Sequence, residues 1–257
     1  MIKIKINDYV VRISYNKDIV FKILSITNEE VLLQGVYTRL HATANIDDLE
    51  IANNEEIQRH KQKHESKIKS IINTNKKRSY HMTGKILHID GDPIYLEQCL
   101  SLYKELKIPA YGVYLKESEF KNNILDLIYQ VDPDIVVLTG HDSYNRNGIK
   151  DLNNYLTTSY FINAVKEIRR HYSKDHIFVF AGGCQSNFEA LLAAGCNYAS
   201  SPKRINIDVY DPAIVAIKAA ITPFNQILNL TDLSKTISLD KSLLSGIESY
   251  GKMRLLV

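Results

Sequence analysis

The sequence has 257 residues, of which 45% are hydrophobic and 24% are charged, as is usual for a globular protein of one or two domains. The formal net charge of +3 is too small to favour nucleic acid as a partner, and no apolar run of about 18 residues predicts a membrane-spanning helix. The N-terminal segment MIKIKINDYV lacks the apolar core of a signal peptide. The cysteines, Cys99, Cys184 and Cys196, are too few for a disulfide framework and fit a reducing cytosol.

Residues 1–50 predict a small β-domain. Short segments rich in valine and isoleucine alternate with turn-like segments such as SYNKD and TNEE. Several short strands over this length predict an SH3-like β-barrel, and the alternative is a β-meander that packs on the main domain.

Residues 51–84 are polar and become increasingly basic, with only a thin apolar stripe. This composition predicts a solvated helix followed by an exposed linker that contains the basic cluster KKRS. A basic cluster can bind phosphate groups, and the alternative is a solvated face without a ligand.

Residues 85–257 alternate between strands and helices. The segments KILHID, AYGVY, IVVLTG, HIFVFA and NYASS are predicted strands that lack a regular alternation of apolar and polar residues, as expected for strands buried on both faces. The segments between them carry apolar residues at helical spacing, and Pro93 and Pro212 suit first helical turns. The pattern predicts a doubly wound, mostly parallel α/β sheet. The chain after residue 223 gives no firm prediction.

The carboxyl ends of the third and fourth of these strands carry the candidate chemistry, because sites of open α/β sheets lie at that edge. His141 and Asp142 follow the third strand, and Cys184 follows the fourth after a glycine pair. If the two strands are neighbours, a thiol and an imidazole lie on one edge, which is the minimum for a cysteine nucleophile with a histidine base. A helix predicted directly after Cys184 would aim its positive N-terminus at the thiolate. The alternative is an inert core cysteine.

Metal and cofactor motifs are not found. The cysteines form no C-x-x-C pair, and neither a P-loop nor a GxGxxG fingerprint occurs. The sequence therefore predicts neither a metal nor a cofactor.

Two apolar strands, one followed by histidine and the next by cysteine, resemble the caspase-like (clan CD) cysteine peptidases. More closely, five blocks in order resemble the YabG family of sporulation-specific proteases of spore-forming Firmicutes: LHIDGDPIYLEQCLSLYKEL, PDIVVLTGHDSY, DLNNY, FAGGCQSNFEALLAAG and ASSPKRINI. The resemblance covers nearly the whole chain. It implies a caspase-like domain and a cysteine endopeptidase that processes spore coat and cortex-associated proteins late in sporulation. It also implies that His141 and Cys184 are the catalytic residues. The location it implies is the mother-cell cytoplasm, or association with the spore coat.

The resemblance also implies an oxyanion hole of backbone N–H groups. The wider clan usually has glycine after its histidine, whereas this chain has Asp142. The Cys184 N–H is therefore the expected first donor, and the Asp142 N–H is the candidate for the second.

Three acids are candidate substrate ligands. In caspase-like folds the loop after the first strand helps to line the pocket for the residue before the cut, and here that loop carries Asp90 and Asp92. Asp208 is a third candidate. Carboxylates in the pocket would favour cleavage after Arg or Lys. The alternative is that DGDP is only a turn with a helix cap before Pro93. The sequence identifies no acid that orients His141.

Two further functions remain open from the sequence. A DJ-1-like or glutamine-amidotransferase-like enzyme also raises a cysteine on a strand–turn–helix elbow, but amidotransferases place the histidine after the cysteine, and none follows Cys184 here. A non-catalytic spore coat assembly module would use the barrel and the linker to bind partners. For a protease, the exposed linker around Lys76, Lys77 and Arg78 is a predicted self-cleavage site, with a passive spacer as the alternative.

Overall fold

The structure is a computed structural model that describes residues 4–27, 30–75, 81–228 and 244–255. The chain divides into two compact units, Met1–Ser70 and Ile71–Val257. The predicted self-cleavage site around Lys76, Lys77 and Arg78 lies outside the described residues.

The first unit contains a five-stranded antiparallel sheet in the order β4-β3-β2-β1-β5. Its strands are β1 (Tyr9–Arg12), β2 (Phe21–Ile26), β3 (Val31–Gly35), β4 (His41–Ala44) and β5 (Leu49–Ile51). A cluster of buried apolar side chains forms its core, among them Val10, Phe21, Ile23, Val31, Leu33 and Leu49. Within the residues described for this unit, no ladder joins the edge strands β4 and β5. The SH3-like barrel therefore stays a prediction.

The helix α1 (Asn54–Asn75) follows this sheet in the polar segment. The Asn53 side chain accepts from the Glu56 N–H, and the Glu56 side chain accepts from the Asn53 N–H, at 2.8 and 2.9 Å. This reciprocal capping box satisfies N–H groups that a helix start leaves without partners, which explains why the helix begins here.

The second unit contains a six-stranded sheet in the order β12-β11-β10-β9-β7-β8. The strands β7 to β11 pair in parallel, and β12 is antiparallel to β11. The bounds are β7 (Ile86–Asp90), β8 (Ala110–Tyr114), β9 (Ile135–Thr139), β10 (Phe178–Ala181), β11 (Tyr198–Ser200) and β12 (Leu244–Gly246). A separate two-stranded sheet pairs β6 (His81–Met82) with β13 (Arg254–Leu255). The predicted α/β architecture with a mostly parallel sheet is confirmed, and the caspase-like assignment stays a prediction.

Among the described residues, five helices pack on this sheet: α2 (Pro93–Glu105), α3 (Phe120–Val131), α4 (Thr158–His171), α5 (Phe188–Ala194) and α6 (Asp211–Ile221). Helices α3, α4 and α5 share one apolar core with alternate residues of the strands, such as Leu87, Val136 and Val179. The intervening residues of β7, β9 and β10 are buried as well, because α2 contacts β7 and α6 contacts β9 and β10. Burial on both faces explains why these three strands are mostly apolar, whereas the edge strand β8 is partly exposed. None of the helices in the described parts of the chain combines the length and hydropathy needed to cross a membrane.

The register of β9 and β10 places their carboxyl ends side by side. Phe178 pairs with Ile135 and Ala181 with Leu138, and the Gly182 N–H extends the ladder to the Leu138 carbonyl at 3.0 Å. The third and fourth strands of the predicted α/β region are therefore neighbours, so His141 and Cys184 follow adjacent strand ends.

Candidate active site

The ends of β9 and β10 approach each other closely. A Cβ atom on Gly183 would lie 2.4 Å from the Gly140 carbonyl oxygen and 3.2 Å from the Asp142 nitrogen. Only glycine fits at this position, since a methyl group would push the two strand ends apart. Gly182 has a φ of +119°, a backbone conformation that also favours glycine. The glycine pair thus brings the residue that follows it against the end of β9.

Cys184 lies in this turn and is 2% exposed. Its sulfur is 3.4 Å from the Ile207 nitrogen, which donates to it. The next residue, Gln185, has a φ of 58°, which is uncommon for a residue with a side chain and marks local strain. The Gln185 N–H contacts the Ile205 carbonyl and the Ser201 hydroxyl at 3.3 and 3.2 Å. The thiol is therefore held in a strained turn beneath residues 201–210, the 201–210 loop.

Helix α5 starts at Phe188, where the Asn187 side chain caps it by accepting from the Ala190 N–H at 3.1 Å. The sequence predicted a helix directly after Cys184. In the structure, residues 185–187 form a turn between the thiol and the start of the helix. Because the electrostatic effect of a helix terminus falls off within one turn, the positive N-terminus of α5 acts on Cys184 less strongly than a helix directly after it would.

The other two cysteines have structural surroundings. Cys196 is fully buried, and burial raises the pKa of its thiol to about 12, so this sulfur stays protonated at neutral pH. Cys99 is also fully buried, and its thiol donates to the Val209 carbonyl at 3.4 Å.

His141 is fixed at both its backbone and its ring. Its N–H donates to Glu117 Oε1 at 2.8 Å, and its Nε2 lies 3.0 Å from Asp92 Oδ2. The Tyr95 ring packs beside the imidazole, with centroids 5.8 Å apart, and the His141 side chain remains 25% exposed. A residue that is both anchored and accessible can exchange protons with a bound substrate.

Glu117 is a member of the site that sequence reasoning missed. A Cβ on Gly91 would lie 2.2 Å from Glu117 Oε1, and a Cβ on Gly140 would lie 2.4 Å from the same atom. The carboxylate thus occupies the space that side chains at these two positions would fill. Glycines directly after β7 and β9 were the available sequence signal for this close approach.

Asp92 caps helix α2, as the alternative interpretation of DGDP predicted. Its Oδ1 accepts from the Ile94 and Tyr95 N–H groups at 2.8 and 3.1 Å, while Oδ2 faces His141. Asp90 is fully buried and accepts from the Thr139 hydroxyl at 2.7 Å and from the Asp92 N–H at 3.0 Å. Both carboxylates face other protein groups, and their role as substrate ligands stays a prediction.

Asp208 has a different setting in the 201–210 loop. It is half-buried, its Oδ1 accepts from the Tyr210 N–H at 2.9 Å, and it directly follows Ile207, whose N–H contacts Cys184. Asp208 is thus the predicted substrate acid that lies next to a residue in contact with the thiol.

Asp142 joins the loop after β9 to the turn after β10. Its two carboxylate oxygens accept from four donors, namely the Ser143 and Thr157 N–H groups and the Thr158 and Ser186 hydroxyls. The Ser186 hydroxyl in turn accepts from the Gly183 N–H at 2.9 Å. One buried carboxylate therefore fixes the backbone on both sides of the site.

The backbone N–H of Asp142 takes no part in the hydrogen bonds of its carboxylate. Within the described ranges it donates to no acceptor, and its nitrogen is one of the atoms that a side chain on Gly183 would meet. It remains the candidate for the second oxyanion donor.

Two comparisons with known proteins show what the chain is similar to. The family model described as YabG peptidase U57 matches residues 5–257. The chain is 34% identical over 284 residues to the sporulation-specific protease YabG of Bacillus subtilis (strain 168), an alignment that covers 98% of this chain and 97% of that protein.

Proposed function

Since the chain belongs to the YabG peptidase family, we propose that it is a cysteine endopeptidase with Cys184 as nucleophile and His141 as base. The observation that carries the proposal is the register of β9 and β10 with the close approach of Gly183 to Gly140. Catalysis is assigned to residues 85–257, whereas residues 1–50 and 51–84 form a small β-domain and a linker.

The reaction follows from these groups. His141 takes the proton of the Cys184 thiol, and the thiolate attacks the carbonyl carbon of the scissile peptide bond. The oxyanion of the tetrahedral intermediate accepts from the backbone N–H groups of Cys184 and Asp142. His141 then gives its proton to the leaving amine. Water activated by the same imidazole hydrolyses the acyl-enzyme and restores the thiol. These steps require neither a metal nor a cofactor.

In this proposal the substrates are spore coat and cortex-associated proteins, and the enzyme acts in the mother-cell cytoplasm or at the coat. A role in sporulation is supported by the similarity to the sporulation-specific protease of Bacillus subtilis, whereas these substrates and this location are what the family resemblance implies.

Incubation of the purified protein with a coat-protein extract tests this function. We expect wild type to convert a subset of coat proteins into discrete fragments and the Cys184→Ala variant to leave them intact. The Cys196→Ala variant is the matched control, since the Cys196 thiol is buried and protonated, and it should cleave like wild type. Equal cleavage by the Cys184→Ala variant would exclude a cysteine mechanism. Loss of coat assembly without any cleavage by wild type would favour the coat assembly module.

Cleavage after Arg or Lys is the second part of the proposal, with Asp208 as the principal acid. We expect Asp208→Asn to reduce kcat/KM on peptides with Arg before the cut by about 10-fold or more, because a charge-assisted hydrogen bond is lost. An amide oxygen at this position can still accept from the Tyr210 N–H, so the 201–210 loop should keep its conformation.

A panel of fluorogenic peptides that differ only in the residue before the cut measures this effect. The Asp151→Asn variant is the control, since Asp151 is exposed and caps only a short helical turn at Asn153. Best turnover by wild type of peptides with a neutral residue before the cut would contradict an acidic pocket.

A further inference from the structure

We infer that Asp92 is a positioning residue of the reaction: it holds the His141 imidazole with its proton on Nε2, so that Nδ1 exchanges the proton with Cys184. The inference rests on the proposed roles of His141 and Cys184 and adds a third side chain to them. The observation behind it is that one buried carboxylate serves two elements, with Oδ1 on the N-terminus of α2 and Oδ2 on His141.

The chemistry of the donor and acceptor fixes the tautomer. An ionised carboxylate has only acceptor sites, so the His141 nitrogen 3.0 Å from Asp92 Oδ2 must carry a proton. In the neutral imidazole the other nitrogen, Nδ1, then has the lone pair of a base. Without such a partner, a neutral histidine divides between two tautomers, and one of them cannot take a proton through Nδ1.

Asp92 is itself held firmly. Its N–H donates to Asp90 Oδ1, and Asp90 Oδ2 accepts from the Thr139 hydroxyl. The Thr139 oxygen also lies 2.8 Å from His88 Nε2, and the whole group is buried within the sheet. The chain of hydrogen bonds thus runs from the centre of β7 and β9 to the His141 ring. A carboxylate anchored in this way sets the direction of the imidazole rather than following it.

Substitution of Asp92 by Asn separates this role from helix capping. Asn is as good an N-cap as Asp, and capping requires its oxygen to face the Ile94 and Tyr95 N–H groups. The NH₂ group must then face His141 Nε2 and donate to it. Nε2 becomes an acceptor, and the proton moves to Nδ1, where it prevents that nitrogen from accepting the thiol proton.

The experiment compares wild type, Asp92→Asn and Asp151→Asn, a matched exchange at the cap of another helical turn. For Asp92→Asn we expect kcat on a fluorogenic peptide to fall by about 10- to 100-fold with KM within about 2-fold of wild type, because Asp92 Oδ2 faces the His141 ring and its exchange changes the base. Asp151→Asn should retain wild-type kcat. Thermal melting should show that both variants remain folded.

Nitrogen NMR of protein with isotopically labelled histidine gives a second readout that requires neither substrate nor turnover. The His141 signals, assigned by their loss in His141→Gln, should show the Nε2–H tautomer in wild type and the Nδ1–H tautomer in Asp92→Asn. An Nδ1–H tautomer in wild type would overturn the inference, as would an unchanged kcat in a folded Asp92→Asn variant.

The failure of this inference differs from the failure of the proposed function. If Cys184→Ala and His141→Ala abolish cleavage while Asp92→Asn retains it, the dyad stands and Asp92 only caps α2. If Cys184→Ala retains cleavage, the proposed cysteine mechanism fails, whichever tautomer the NMR spectrum shows.

Discussion

The Cys184→Ala variant is expected to hydrolyse peptides no faster than the uncatalysed background, and His141→Ala is expected to lose about 1,000-fold in kcat/KM. The nucleophile has no substitute, because Cys99 and Cys196 are fully buried, the Cys99 thiol donates to the Val209 carbonyl, and burial raises the pKa of Cys196 to about 12. The loss for His141→Ala is smaller, because a fraction of the thiol still ionises without the base and that fraction rises with pH. A fluorogenic peptide cleaved by wild type measures both losses.

Two controls complete this assay. Cys196→Ala should retain wild-type kcat/KM, and raising the pH should restore part of the activity of His141→Ala but none of that of Cys184→Ala. A His141→Ala variant within about 10-fold of wild type would show that another group acts as the base, since a positioned base contributes at least about 100-fold.

The Asp142→Ala variant is expected to lower the free energy of unfolding by about 3 kcal/mol, because four donors lose their buried acceptor. For a unit of this size the melting temperature should fall by about 10 °C. Thermal unfolding followed by circular dichroism measures the shift, and urea unfolding gives the free energy.

The control for Asp142→Ala is Asp151→Ala, which removes an exposed acceptor with one partner, the Asn153 N–H, and should cost less than about 1 kcal/mol. Equal stability of Asp142→Ala and wild type would mean that water satisfies the four donors and that the carboxylate does not hold the two loops together.

The elements with a strong periodic pattern were predictable from the sequence. The strands at residues 86–90, 135–139 and 178–181 are mostly apolar because both of their faces are covered, and Pro93 starts a helix as predicted. The strand Leu49–Ile51 was not predicted, since three residues with one buried side chain carry no periodicity. The antiparallel edge strand Leu244–Gly246 was not predicted either, because it pairs with β11, which lies more than 40 residues earlier in the chain.

The sequence predicted which strand ends carry the candidate site, but not the side-chain contacts within it. The positions of His141 and Cys184 follow from two neighbouring strand ends, which the sequence could suggest but not order. The contacts of His141 with Asp92 and Glu117 join loops after three different strands, and such distances in the chain leave no local pattern. Asp90 and Asp92 were predicted as substrate ligands from the position of their loop, and their contacts with Thr139 and His141 depend on side-chain directions that a sequence does not give.

The 201–210 loop has a consequence for the protein while it has no substrate. Exposed thiolates are oxidised to sulfenic and then irreversibly to sulfinic acid, and susceptibility follows exposure. Cys184 is 2% exposed and its sulfur receives the Ile207 N–H, so we expect peroxide to oxidise it slowly while the 201–210 loop stays in place. In the proposed mechanism, the cover that a substrate displaces also keeps the thiol reduced until a peptide chain arrives.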